Sequence, residues 1–148
     1  MSWNVYLSGE IHTDWRERIQ EGASQANLDI IFTTPVTHHG ASDNVGEAIL
    51  GKEESSFWRD HKAAKINAIR IQKAIEEADL VVVRFAEKFR QWNAAFDAGY
   101  ATALGIPIIT LHDEDLTHPL KEVDAAAQAT AETPEQIIKL FQYLLADQ

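Results

Sequence analysis

The stretch from Ala78 to Leu111 restricts the fold more than any other part of the chain. It reads ADLVVVRF, then a short polar segment, then the helical RQWNAAFDAGYATAL, and finally GIPIITL. Leu80 to Val83 are four consecutive apolar, mostly β-branched residues, the pattern of a parallel strand covered on both faces. Gly105 stops the helix that follows, Pro107 prevents its resumption, and Ile108 to Leu111 make another apolar strand. A strand, a helix and a second strand in this order demand a right-handed crossover and a parallel sheet.

The same alternation runs through the rest of the chain. Trp3 to Leu7 reads as a strand ending at Ser8 and Gly9, and His12, Thr13 and Asp14 offer N-cap chemistry for a helix to about Gln25, with Trp15, Ile19 and Gly22 on its inner face. Leu28 to Phe32 is a second strand. Val36 to Ser56 holds three glycines and the adjacent His38 and His39, with little periodicity, so it reads as a long loop with at most a helical turn. Ile66, Ile69, Ile71, Ala74 and Ile75 recur at helical spacing and predict a long helix from Phe57 to Ala78. Thr117 to Val123 reads as a short helix and Ala125 to Ala131 as a fifth strand. Thr133 caps a last helix that has Pro134 in its first turn and an apolar face of Ile137, Ile138, Phe141, Leu144 and Leu145. The expected architecture is one domain over residues 1–148: a three-layer α/β fold, flavodoxin-like or Rossmann-like, with five parallel strands in the order 2-1-3-4-5. Trp15, Phe96 and Tyr100 are expected in its core.

Composition narrows the function. A net charge of −10 argues against a nucleic-acid polymer or an anionic membrane as partner, yet leaves room for a nucleotide-sized ligand, which needs only a few local donors. The chain has no cysteine, which removes disulfides, thiolate zinc sites and a cysteine nucleophile. No window approaches the roughly 18 apolar residues of a membrane span and the N-terminus carries no basic leader, so a cytoplasmic protein is expected. Neither a Gly-x-Gly-x-x-Gly segment nor a phosphate-binding loop occurs, and His38 and His39 have no ligand spacing with another histidine; no cofactor and no metal are expected. A homo-oligomer is left open.

Ligands of open parallel sheets bind at the carboxyl ends of the strands, at the switch point between the first and third. That brings Ser8 to Asp14 close to Arg84 to Asp97. Asp97 is a lone carboxylate within an otherwise apolar helix and is the first candidate for chemistry. It has a plainer reading as a helix-surface carboxylate paired with Arg90 or another base, and on the residues alone that reading leads. Thr13 and Asp14 read first as a turn and cap.

YLSGEIHTDWR, IEEADLVVV and NAAFDAGYATALGIPII, in this order and spacing over nearly the whole chain, resemble the nucleoside 2-deoxyribosyltransferase-like superfamily, most closely its YtoQ family. In the better understood transferases a strand ending in Tyr-Leu-(small)-Gly is followed, past the third strand, by a helix bearing Glu-x-Gly-(aromatic or aliphatic)-Ala. The carboxylate there attacks the anomeric carbon of the sugar. The matching residues here are Tyr6 and Gly9, then Asp97, Gly99, Tyr100 and Ala101, so the resemblance implies that Asp97 takes the nucleophile's place and that the ligand is a nucleoside or nucleotide. Two departures stand out. Asp97 is one methylene shorter than glutamate, and the acidic, Gly-Thr-rich loop after the third strand is replaced by Arg84 to Trp92, which introduces cations suited to a phosphate or carboxylate.

Cleaving an N-glycosidic bond creates an oxocarbenium-like centre that a carboxylate stabilises or traps, while the departing base needs a proton or hydrogen bond. Asp97 suits the first task; Glu10, Asp14, His12 or the histidines at 38 and 39 suit the second. Asn93, one turn before Asp97 on the same face, is placed to hold a sugar hydroxyl or to orient the carboxylate. Trp92, Phe89 and Tyr6 are candidates for stacking on a base. Arg84 and Arg90 are candidates for an anionic group. The competing class is a non-catalytic nucleotide or small-ligand module that keeps the fold around a drifted site.

Overall fold

The computed structural model describes residues 1–146. Five strands form one parallel sheet: β1 (Trp3–Gly9), β2 (Ile30–Thr33), β3 (Leu80–Arg84), β4 (Ile108–Leu111) and β5 (Ala129–Ala131), in the order β2-β1-β3-β4-β5. Six α-helices join or flank them: α1 (Trp15–Gln25), α2 (His39–Leu50), α3 (Ser56–Glu76), α4 (Trp92–Ala103), α5 (Lys121–Ala126) and α6 (Pro134–Leu144). The expected order is observed. β1 and β3 are neighbours whose following helices cover opposite faces, and Ser8 stands in register with Val83 and Gly9 with Arg84.

Alternation along the buried strands splits the core in two. Val5, Leu7, Val82, Ile109 and Leu111 pack with Trp15, Ile19, Ile137 and Phe141 under α1 and α6, while Tyr6, Val81, Val83 and Ile108 pack with Ile75, Ala94, Ala98 and Ala101 under α3 and α4. The small alanines let α4 lie close to the sheet, which carries its polar residues to the strand ends. α6 begins as expected, with Thr133 accepting from the Gln136 amide and Gln136 bonding back to the Thr133 amide in a capping box.

Three expectations are corrected. The stretch from 36 to 56 is not a loop: His39–Leu50 is helical, with the His38 ring accepting from the Ala41 amide at 3.1 Å as its cap. Its weak periodicity has a tertiary cause. A Cβ on Gly46 would stand 2.9 Å from the Ala63 backbone nitrogen, so the glycine that weakens the helix is what allows α2 to lie against α3. At the other end, Ala125 and Ala126 finish α5 and the fifth strand begins only at Ala129, because alanine favours the helix and the Gln128 side chain then accepts from the Ile108 amide at 2.8 Å. Finally, Phe96 is 68 % exposed and so is not core, whereas Trp15 is buried and Tyr100 half-buried with its hydroxyl donating to Glu76.

Candidate functional site at the strand ends

The end of β1 is held by buried polar contacts. Arg16, on the inner face of α1, donates to three backbone carbonyls: Nε to Leu7 at 3.1 Å, Nη2 to Gly9 at 3.1 Å and Nη1 to Glu10 at 2.5 Å. Burial pushes its guanidinium down to about 10. The Trp15 indole donates to the same Glu10 carbonyl at 2.8 Å. Gly9 sits at φ +114°, and a Cβ there would lie 2.1 Å from the Arg84 carbonyl oxygen, so only glycine lets β1 and β3 end side by side. The Glu10 side chain accepts from the His12 amide at 2.9 Å, the Thr13 amide at 2.6 Å and the Thr13 hydroxyl at 2.9 Å. Its carboxylate therefore shapes the turn.

Asp97 lies across from this clamp on α4. Its Oδ2 accepts from the Ser8 hydroxyl at 2.7 Å, and among the described residues no cation stands within ion-pair distance. The reading as a surface carboxylate paired with Arg90 is thereby overturned. Burial pushes the Asp97 carboxyl up from its ordinary 3.8 to about 6, with the Ser8 hydrogen bond pulling the other way. Two clefts meet at this side chain. One, of about 380 Å³, opens at the strand ends between Gly9 to His12, Val36 and His39, and the segment Phe89 to Ala94. The other, of about 460 Å³, runs between α3 and α4 and is walled mainly by Ala64, Ala68, Ile71, Ile75, Phe96 and Tyr100. Asp97 and Asn93 line both.

The family described as "Nucleoside 2-deoxyribosyltransferase YtoQ" matches residues 6–145, a span that contains every residue of the two clefts. The chain belongs to the YtoQ family. It is 45 % identical over 144 residues to the uncharacterized protein YtoQ of Bacillus subtilis (strain 168), covering 97 % of each chain. Among solved structures it resembles a conserved protein from Enterococcus faecalis V583, with a TM-score of 0.63 at 14 % identity over 98 % of this chain and 100 % of that one. It also resembles a 2-deoxyribosyltransferase from Bacillus psychrosaccharolyticus, with a TM-score of 0.54 at 16 % identity over 91 % and 90 % of the two chains. At these identities the structural likenesses speak for the fold.

Within this YtoQ-family chain the predicted residues separate into two groups. Asp97, Gly9, Glu10, His12, Arg90, Trp92 and Asn93 line the strand-end cleft, with Trp92 74 % exposed and accessible for stacking. Tyr6 and Arg84 line neither cleft. The Tyr6 ring is fully buried under α3 and α4, which removes it as a stacking surface, although its hydroxyl has no partner among the described residues and burial, helped by the nearby Asp97 charge, holds it far above the usual phenol range. Arg84 ends β3 with its Nε buried and without a partner among the described residues, so the expected pair of guanidiniums at the cleft reduces to Arg90. The His12 ring packs 4.5 Å from the Phe89 ring. His39 pairs with Asp43 one turn along α2 at 3.1 Å. Asp14 stands at the N-cap position of α1 without a side-chain capping bond.

Two functional-looking residues escaped the sequence reading. Ser8 passed as the end of a strand, and nothing local signals its bond to a residue 89 positions away. Arg16 did leave a trace: it falls on the stripe of Trp15, Ile19 and Ala23, where a cation is out of place unless it is bonded.

Proposed function

We propose that this chain carries out N-glycosidic bond chemistry on a nucleoside or nucleotide, by 2-deoxyribosyl transfer or by hydrolysis, with Asp97 as nucleophile or oxocarbenium stabiliser. The observation that carries the reading is the Asp97 carboxylate itself: half-buried, without an ion pair among the described residues, held by one oxygen and lining two clefts. A carboxyl near 6 is about nine-tenths ionised at pH 7, yet basic enough to bond to a developing cationic carbon. The family match supports the substrate class. Asn93 meets a sugar hydroxyl beside Asp97, Trp92 stacks on the base, and Arg90 offers a cation to a 5′-phosphate.

Incubation with a panel of nucleosides and nucleotides, with and without an acceptor base, tests this directly. Free base alone identifies hydrolysis, and an exchanged nucleoside identifies transfer. One observation favours a second reading, a binding module without turnover: the Glu10 carboxylate is already bonded three times and the His12 ring is packed on Phe89, so neither stands ready to protonate a leaving base. Saturable binding of a nucleotide with no product in either arm selects that reading.

A further inference from the structure

We propose that Ser8 is the positioning residue of the site: its hydroxyl clamps Oδ2 of Asp97 and thereby designates Oδ1 as the oxygen that meets the sugar. The inference rests on the glycosidic reading above, and the geometry behind it is specific. Ser8 is fully buried near the end of β1, in register with Val83 in the middle of the sheet, and its side-chain bond, 2.7 Å, is to Asp97. A strand at the centre of a sheet is the most rigid support available, so the oxygen it holds does not wander. Asp97 has only two side-chain torsions, so fixing one oxygen fixes the other, and the residue lines both clefts.

A hydroxyl serves both protonation states. It donates to Oδ2 when the carboxylate is ionised and accepts from it when Asp97 is protonated, so the clamp persists through the titration. In the first step an Oδ1 lone pair forms the bond to C1′ as the C1′–N bond breaks, and the bonding pair leaves on the base, which takes a proton from solvent. Oδ2 is then the carbonyl oxygen of the glycosyl ester and still accepts from Ser8. When water or an acceptor base displaces the sugar, the electron pair returns to the carboxylate, and the same hydroxyl stabilises the charge that reappears. The titratable groups around Asp97 are Tyr6 on β1, Asp43 on α2, Asp60 on α3, Tyr100 on α4, and Glu10, His12, His39 and Arg90 along the strand-end cleft. Among the described residues none of these bonds to its carboxylate, whereas the Ser8 hydroxyl does.

Ser8→Ala tests the clamp, with Ser8→Cys, a thiol of similar size and weaker donor strength, as an intermediate variant. The Asp97 carboxyl is followed by carbon NMR over pH 4–9 in wild type and both variants, its signal assigned with Asp97→Asn. In Ser8→Ala the midpoint rises by about one pH unit, with Ser8→Cys between the two. On a nucleoside that wild type turns over, the acid limb of kcat/KM moves up by the same amount and kcat falls roughly tenfold while KM changes less than about twofold. A midpoint that does not move in either variant overturns the proposal. If wild type turns over no nucleoside or nucleotide, the glycosidic reading fails on its own, and the NMR titration still decides whether Ser8 holds Asp97.

Discussion

Asp97 and Asp124 are both aspartates on helices that follow central strands of the same sheet, and their surroundings are opposite. Asp124, on α5, accepts from the Thr110 hydroxyl at 2.7 Å and faces the buried His112 ring, whose Nε2 lies 2.8 Å and 3.0 Å from its two oxygens; the other ring nitrogen is bonded to the Asp113 carbonyl at 2.7 Å. Every partner in that cluster is taken, and what it does is anchor α5 over β4. Asp97, by contrast, has one hydroxyl, apolar neighbours and two open clefts. A carboxylate with its lone pairs satisfied is a structural element. One left half-desolvated with a free oxygen is a cost to the fold, and groups of that kind cluster where ligands bind or reactions occur.

The contrast breaks most visibly in activity. Asp97→Asn is expected to lower glycosidic turnover at least 10³-fold, the scale of losing a nucleophile, whereas Asp124→Ala leaves kcat of the folded protein within about threefold. Steady-state kinetics on the substrate found in the panel checks both, and comparable losses in the two variants would erase the distinction. Stability should respond in the reverse order. Asp124→Ala strands His112 and Thr110 without their acceptor in the interior, and is expected to cost about 3 kcal/mol in urea denaturation.

Asp97→Asn is expected to stabilise the fold, and pH reveals the reason. The carboxyl titrates near its ordinary 3.8 in the unfolded chain and near 6 in the folded one, so between those values the folded state holds the extra proton. Raising the pH through this window lowers wild-type stability. The deficit is complete above about pH 6 and absent below about pH 4, which makes the gain from Asp97→Asn about 2 kcal/mol at pH 8, allowing for partial solvent screening, and near zero at pH 4. Urea melts at the two pH values measure it; an equal gain at both would show that the asparagine acts through packing alone. The smallest effect concerns the mouth of the cleft. Arg90 is exposed, so Arg90→Ala should reduce the preference for a 5′-phosphorylated over a neutral nucleoside by only about fivefold, roughly 1 kcal/mol, in calorimetric titration. Equal affinity for the two ligands in wild type would remove the anion from the picture and leave Asp97 untouched.

Much of this was written locally. Val81 to Val83 declare a buried parallel strand, Gly105 and Pro107 end one element and start the next, and Thr133 with Pro134 and Gln136 specify a helix start within four residues. Each of these signals acts through the backbone of its own neighbourhood, so periodicity and capping report them, and strand order follows from the handedness of the crossovers. Even the placement of Asp97 beside the first strand's end follows, because a switch point is a property of topology. The sequence could not show where small residues exchange propensity for contact: Gly46 weakens α2 and so brings it onto α3, and Gly9 looks like a turn but is required because the Arg84 carbonyl occupies the place of a side chain. Nor could it show that Ser8 reaches Asp97 while Arg90 does not, or that Arg16 turns inward to gather three carbonyls. Those are relations between residues far apart in the chain, decided by angstrom-scale packing of α1 and α4 on the sheet, and hydrogen bonds and desolvation depend on such distances too steeply for local pattern to carry them.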